Sequence, residues 1–305
     1  MQRQCCKKTG RMPQTVNTIR IIPRLDIKGP NLVKGIHMEG LRVLGKPESF
    51  ARYYYENGAD ELIYVDVVAS LYGRNSLLDI IERTSRETFI PLTVGGGLRT
   101  IDDIKAVLRA GADKVSLNTA AIQRPELIQE VSKRFGSSTI LISIEAIKMP
   151  DGSYEAYTDN GREETGMNVF DWALRVVELG AGEIMITSID REGTGKGFDL
   201  ELTKKISESV PIPVIAHGGA GTIAHIYDVI NEGKADSVSI ASIIHYNYVK
   251  ECEIEDDFSG EGNIEYLRNR SSFSRIHDTT IMKTKEYLTQ HGLECRYPLA
   301  GVDNA

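Results

Sequence analysis

Two carboxylates stand where proton chemistry would be simplest to build. Asp26 closes the apolar run RIIPRLDIK, and Glu145 closes LISIEAIK. If both face one pocket and their surroundings separate their pKa values, one can give a proton while the other takes one. A second chemistry is suggested by two glycine pairs, Gly96 with Gly97 and Gly218 with Gly219, each five residues after a proline. Bare backbone at such turns lets N–H groups come close to an anion. Asn118 and Thr119, and again Ala241 and Ser242, open helical stretches whose amino ends favour negative charge. Two such sets in register predict a ligand with a phosphate at each end.

The elements that would hold these residues repeat. IPLTVGGGLRTIDDIKAVLRAGADKVSLNTAAI, from Ile90 to Ile122, returns as IPVIAHGGAGTIAHIYDVINEGKADSVSIASII, from Ile212 to Ile244. Eight runs rich in Val, Ile and Leu open near Ile19, Glu61, Ile90, Asp113, Thr139, Glu183, Ile212 and Asp236, with stretches of helical period between them. The spacing of the first four runs recurs in the last four. Strand then helix, eight times over, closes into a (β/α)8 TIM barrel made of two half-barrels. A doubly wound open sheet would need an edge and a reversal of strand order, which a repeated four-strand unit does not supply. In a barrel the chemistry belongs at the carboxyl ends of the strands, where Asp26 and Glu145 take equivalent places on opposite sides of the mouth.

Length fits one such barrel, with residues 1–18 as a polar, basic leader and a polar insertion at about 251–280 before a last helix. The net charge of −7 without a basic stripe weighs against nucleic acid, and no run is long enough to cross a bilayer. Cys5, Cys6, Cys252 and Cys295 lack zinc or C-x-x-C spacing, which suits a reducing cytosol. The six His are scattered, so neither a metal nor another cofactor is expected.

The blocks RIIPRLDIK with LVKG, ADELIYVDVVAS, PLTVGGGLRT, GADKVSLNTAAI, GAGEIMITSIDREGTGKGFD and HGGAG resemble the cyclase subunits of imidazole glycerol phosphate synthase, of the histidine pathway. The likeness runs from about Ile19 to Ile244 and resumes in the last helix. SIDREGTGKGFD is closer to the cyclase than to the phosphoribosyl isomerase that shares its barrel and repeat. The resemblance implies that ammonia from a glutaminase subunit, docked at the amino-terminal face, travels up the barrel to a bis-phosphorylated substrate. It makes Asp26 a catalytic aspartate and Lys34 a mobile-loop lysine that closes over the anion. Asp66, Gly96, Gly97, Asn118, Thr119, Thr187, Glu192, His217, Gly218, Gly219 and Ser242 fall on substrate positions. Arg20, Glu61, Lys114 and Glu183 fall on a ring of charges at the ammonia entrance.

Four departures from that pattern lie near the mouth. Glu145 and Glu192 stand where the family has aspartates, so each carboxylate is advanced by about one methylene, and a shift of about 1 Å can slow a step roughly 100-fold. His217 replaces a small serine and can donate a hydrogen bond to an anion from a ring nitrogen, yet its bulk excludes the usual ligand pose. Arg24 shares its strand side with Arg20, Ile22 and Asp26, so it projects inward and must find an acid there, with Glu145 the leading candidate; in that place it narrows the path for ammonia. Three readings follow: a cyclase of histidine biosynthesis; a cyclase-like paralogue delivering ammonia, alongside a sugar amidation synthetase, for acetamidino-sugar formation in surface polysaccharide; or a silent barrel that docks and activates a glutaminase.

Overall fold

The computed structural model describes residues 18–69, 77–252 and 275–298. The leader at 1–17 and most of the expected insertion, 253–274, lie outside the described residues. Eight parallel strands form the barrel: β1 (Arg20–Lys28), β4 (Leu62–Asp66), β5 (Leu92–Gly95), β6 (Lys114–Leu117), β7 (Ile140–Lys148), β10 (Glu183–Ser188), β11 (Val214–His217) and β12 (Ser237–Ile240). They pair in the order β10-β11-β12-β1-β4-β5-β6-β7, and a β10–β7 pairing closes the ring. β1 and β7 are therefore four strands apart, across the barrel from one another.

Between the strands run α1 (Pro47–Glu56), α2 (Leu78–Glu87), α3 (Ile101–Arg109), α4 (Thr119–Gln123), α5 (Glu126–Phe135), α6 (Val169–Glu178), α7 (Leu200–Ser209), α8 (Ile223–Asn231) and α9 (Ser242–Glu251), with α10 (Ile281–Gln290) last. Their apolar faces, including Phe50, Ile104, Trp172 and Ile226, seal the outer side of the sheet in one continuous core. The half-repeat persists in the caps. Thr100 and Thr222, each three residues beyond a glycine pair, accept from the backbone N–H groups of Asp103 and His225 and start α3 and α8. Asn118 and Ala241 share an unusual backbone, φ −132° with ψ −88° and φ −133° with ψ −86°, before α4 and α9. α4 has only five residues, so the dipole expected to favour an anion there is short, and an anion must rely on local donors.

Two hairpins extend the repeat beyond what the runs of apolar residues suggest. β2 (Asn31–Ile36) and β3 (Glu39–Gly45) follow β1, while β8 (Tyr154–Thr158) and β9 (Glu163–Asn168) follow β7. The antiparallel pairings set Asp26 beside Val33 and Glu145 beside Tyr157, so each mouth carboxylate is roofed by its own hairpin. Each turn carries two successive non-glycine residues at positive φ, His37 and Met38 in the first and Asp159 and Asn160 in the second. In the first hairpin the pair fills a two-residue loop, the signature of a primed turn, which asks most of Met38, whereas Asp159 and Asn160 belong to a four-residue loop in which Gly161 also has positive φ. External contacts hold the first turn. His37 N–H donates to the Glu192 carbonyl (3.0 Å), and Asn160 Nδ2 donates to the Met38 carbonyl (3.3 Å). Met38 also packs with Tyr157 and Ile189, so the two hairpins and the segment after β10 meet over the mouth.

Candidate active site

The barrel interior is layered. At its floor Arg20 Nη1 lies 2.6 Å from Glu61 Oε1 and 2.7 Å from Glu183 Oε1, while Lys114 Nζ lies 3.0 Å from Glu61 Oε2 and 2.8 Å from Glu183 Oε2. The four residues expected from four different strands thus close into a ring of alternating charge. Ser237 joins it by accepting from Arg20 Nε at 2.8 Å. Above the ring, Ile22, Ile63, Leu141, Met185 and Ile215 form an apolar collar. The β1 alternation then delivers Arg24, and above it Asp26.

Arg24 is buried, as strand parity requires, but its partner differs from the expectation. Its Nε lies 2.8 Å from Asp26 Oδ1 on the same strand, not against Glu145. The i, i+2 spacing puts both groups on one side of β1, so the nearest inward acid captures the guanidinium before one across the barrel can. Arg24 Nη1 and Glu145 Oε2 are both buried without a hydrogen-bond partner in the protein. The backbone at Arg24 is held from outside: His245 Nε2 donates to the Arg24 carbonyl (2.9 Å), and Tyr54 O–H donates to His245 Nδ1 (2.6 Å). Burial pulls the His245 ring down to about 3, which keeps it neutral for this arrangement. His245 and Tyr54 carry no motif, and only their packing reveals the role.

Lys34, on β2, reaches the same cluster. It is ion-paired with Glu192 and lies 3.5 Å from Asp26 Oδ2, with Met38 N–H 3.4 Å from Glu192 Oε2. The lysine expected to close over an anion is here folded onto two carboxylates of the protein. Burial would push the Asp26 carboxyl up, but Arg24 and Lys34 outweigh it and hold the group well below the usual carboxylate range. Glu145 goes the other way. Burial pushes it up to about 7, against the opposing pull of Arg24. Two carboxylates across one mouth are therefore separated in the way acid–base chemistry requires.

A cavity of ≈ 80 Å³ opens on the Glu145 side of the mouth, lined by Arg24, Asp66, Gly96, Gly97, Asn118, Thr119, Ser143 and Glu145 among others, and Asp26 is not part of its lining. Most residues expected in the first half of the site are thereby brought together. Ser143 was legible by the same parity that exposes Arg24, since it lies two residues from Glu145 on β7. In the second half, Glu145, Thr187, His217 and Ser239 form one row across β7, β10, β11 and β12 by strand register. His217 Nδ1 donates to the Ser239 carbonyl at 2.9 Å, and its Nε2 is buried with no partner in the protein. Gly218 and Gly219 follow it, and Ser242 is buried at the start of α9.

A family model described as "Histidine biosynthesis protein" matches residues 20–250. The chain belongs to the histidine biosynthesis protein family. Within it the relatives are named imidazole glycerol phosphate synthase subunit HisF, so the chain is HisF-like and of an enzyme type. The Legionella pneumophila protein is 58% identical over 208 residues, covering 68% of this chain and 98% of its own length. That of Alkaliphilus metalliredigens is 48% identical over 232 residues, 76% of this chain and 92% of its own. That of Methanocaldococcus jannaschii is 47% identical over 258 residues, 78% and 94%. The fold and the family agree on a (β/α)8 barrel, and no described helix is long and apolar enough to cross a membrane.

Proposed function

We propose that this HisF-like barrel is the synthase subunit of a glutamine-dependent amidotransferase, acting in the cytosol, with the chemistry of imidazole glycerol phosphate synthase. Ammonia from a glutaminase enters at the floor, rises through the collar and is used at the mouth on a phosphorylated substrate. The observation that carries this reading is the stack of a closed charge ring, an apolar collar and a split carboxylate pair on one axis. An apolar collar favours neutral ammonia over ammonium, because an ion there would lose its hydration without a partner. Phe89, 77% exposed just before β5, puts an aromatic anchor on the floor side, where the glutaminase would dock.

At the mouth, Glu145 is the proton donor and acceptor that changes state near neutrality, and Asp26 is the fixed anion that balances developing positive charge. Gly96, Gly97, Asn118 and Thr119 hold the anionic group of the substrate against Arg24, with Asp66 beside them. Lys34 moves from Glu192 to the substrate when the hairpin shifts. Turnover of the histidine-pathway ribulosyl intermediate with free ammonium salts tests the reading. Product formation supports an enzyme, whereas activation of glutaminase without product would leave only a docking barrel.

One observation favours a second reading within the same chemistry. The Arg24–Asp26 pair and His217 alter the mouth while the floor keeps its four charges. That combination fits a paralogue that preserves ammonia delivery and has changed its acceptor, as in acetamidino-sugar formation with a partner synthetase. Rescue of a cyclase-deficient histidine auxotroph separates the two, since only the first reading restores growth.

A further inference from the structure

The two halves of the barrel share strands, glycine turns and caps, but their ligand ends are chemically unlike. In the first half, Gly96 and Gly97 open on a cleft that also receives Arg24, a buried cation whose Nη1 has no partner in the protein. An anion fits there. In the second half the corresponding turn, Gly218 and Gly219, is preceded by His217, and the hydrogen bonding of that ring is fixed.

A neutral imidazole has one N–H and one lone pair. The His217 N–H is spent on the Ser239 carbonyl at 2.9 Å, so Nε2 presents the lone pair. It does so from a fully enclosed position. Buried beside it in the row, Thr187 Oγ1 and Ser239 Oγ also lack partners in the protein. A phosphate oxygen brought to Nε2 would meet lone pair against lone pair. Protonation would remove that repulsion, but burial, Arg24 and Lys34 all oppose it, against a smaller pull from Asp26.

We propose that the β11 end of the site takes an uncharged N–H or O–H donor, held by His217 Nε2 with Thr187 and Ser239, and that the substrate carries its phosphate only at the Gly96 and Gly97 end. This rests on the reading of the mouth as a phosphorylated-substrate site in its second form, the paralogue with a changed acceptor, since the histidine-pathway substrate carries two phosphates, and it narrows that acceptor to a singly anionic sugar derivative with a hydroxyl, amide or amine at its far end. His217 then sets specificity by what it refuses as much as by what it binds.

The test is a titration of the full-length, isotope-labelled protein with inorganic phosphate, followed by amide NMR. The ¹⁵N signals of the His217 ring are read in parallel. In the parent, the amides of Gly96, Gly97 and Thr119 should shift saturably while those of Gly218, Gly219 and Ser242 do not, with His217 remaining in its neutral Nδ1–H form. In His217→Ser the second set should begin to respond, with a gain of about tenfold or more in apparent affinity at that end. Saturable shifts at Gly218 and Gly219 in the parent, with His217 becoming doubly protonated, would overturn the proposal and leave the phosphorylated-substrate reading intact. No response in either set would overturn that reading and this proposal with it. Should His217→Ser fail to fold, the parent titration decides alone.

Discussion

At the scale of single residues, the mouth is governed by which acid the buried guanidinium of Arg24 chooses. Arg24 takes Asp26 and leaves Glu145 Oε2 without a partner, so one carboxylate is fixed as an anion and the other titrates near neutrality. The Glu145 pKa is raised from 4.5 to about 7 on folding, so its contribution to stability is complete below the unfolded value and is lost as pH rises through the folded one. That shift corresponds to about 3 kcal/mol. Denaturant unfolding of the parent and of Glu145→Gln at pH values across this window should therefore show the variant gaining on the parent as pH rises. Under the proposed mechanism the same variant loses roughly 100-fold or more in turnover, read with saturating ammonium. Arg24→Ala has two separate effects. Stability falls by about 3 kcal/mol, the low end for breaking a buried pair, because Lys34 still lies 3.5 Å from Asp26. The yield of product per glutamine hydrolysed should also change, since the guanidinium lies between the collar and the mouth. Unchanged yield would remove Arg24 from the ammonia route.

Elements fix how far these side chains can stray. β1 carries Arg20, Ile22, Arg24 and Asp26 on one face, so its placement sets floor, collar and mouth together. Its start is anchored from a distance: Asp60 Oδ2 accepts from Ile21 N–H at 2.8 Å, and Lys285 Nζ of α10 reaches Asp60 Oδ1 at 2.8 Å and the Arg296 carbonyl at 2.6 Å. Lys285→Met leaves Asp60 as a buried acid without its cation and should cost about 3–5 kcal/mol in denaturant unfolding, with floor-dependent coupling lost before mouth chemistry. The strands and helices were legible because their periodicity is set by burial on each face. The hairpins were not read, although Asp159, Asn160 and Gly161 make a turn signal. The first hairpin gives no such signal, since His37 and Met38 reach positive φ only through contacts with Glu192 and Asn160.

For the whole molecule, two copies of one half-barrel have kept their frame and parted in their chemistry. The frame could be read from the repeat: Gly96 and Gly218, Thr100 and Thr222, Asn118 and Ala241 recur at matching turns, and parity alone placed Arg24 inside. The partner of Arg24 was misjudged because alternation gives the side of a strand and not the reach of a side chain. The orientation of the His217 ring lay beyond sequence for the same reason, being decided by a carbonyl on the neighbouring strand. Under the proposed function, a floor built from two cations and two anions at the starts of four strands is the feature that unites delivery and use of ammonia in one molecule. Its most direct test is the amount of product formed per glutamine hydrolysed by the complex with its glutaminase, compared between the parent and Lys114→Met. The account predicts stoichiometric product in the parent and a clear shortfall in the variant, as ammonia escapes at the broken ring; an unchanged ratio would contradict it.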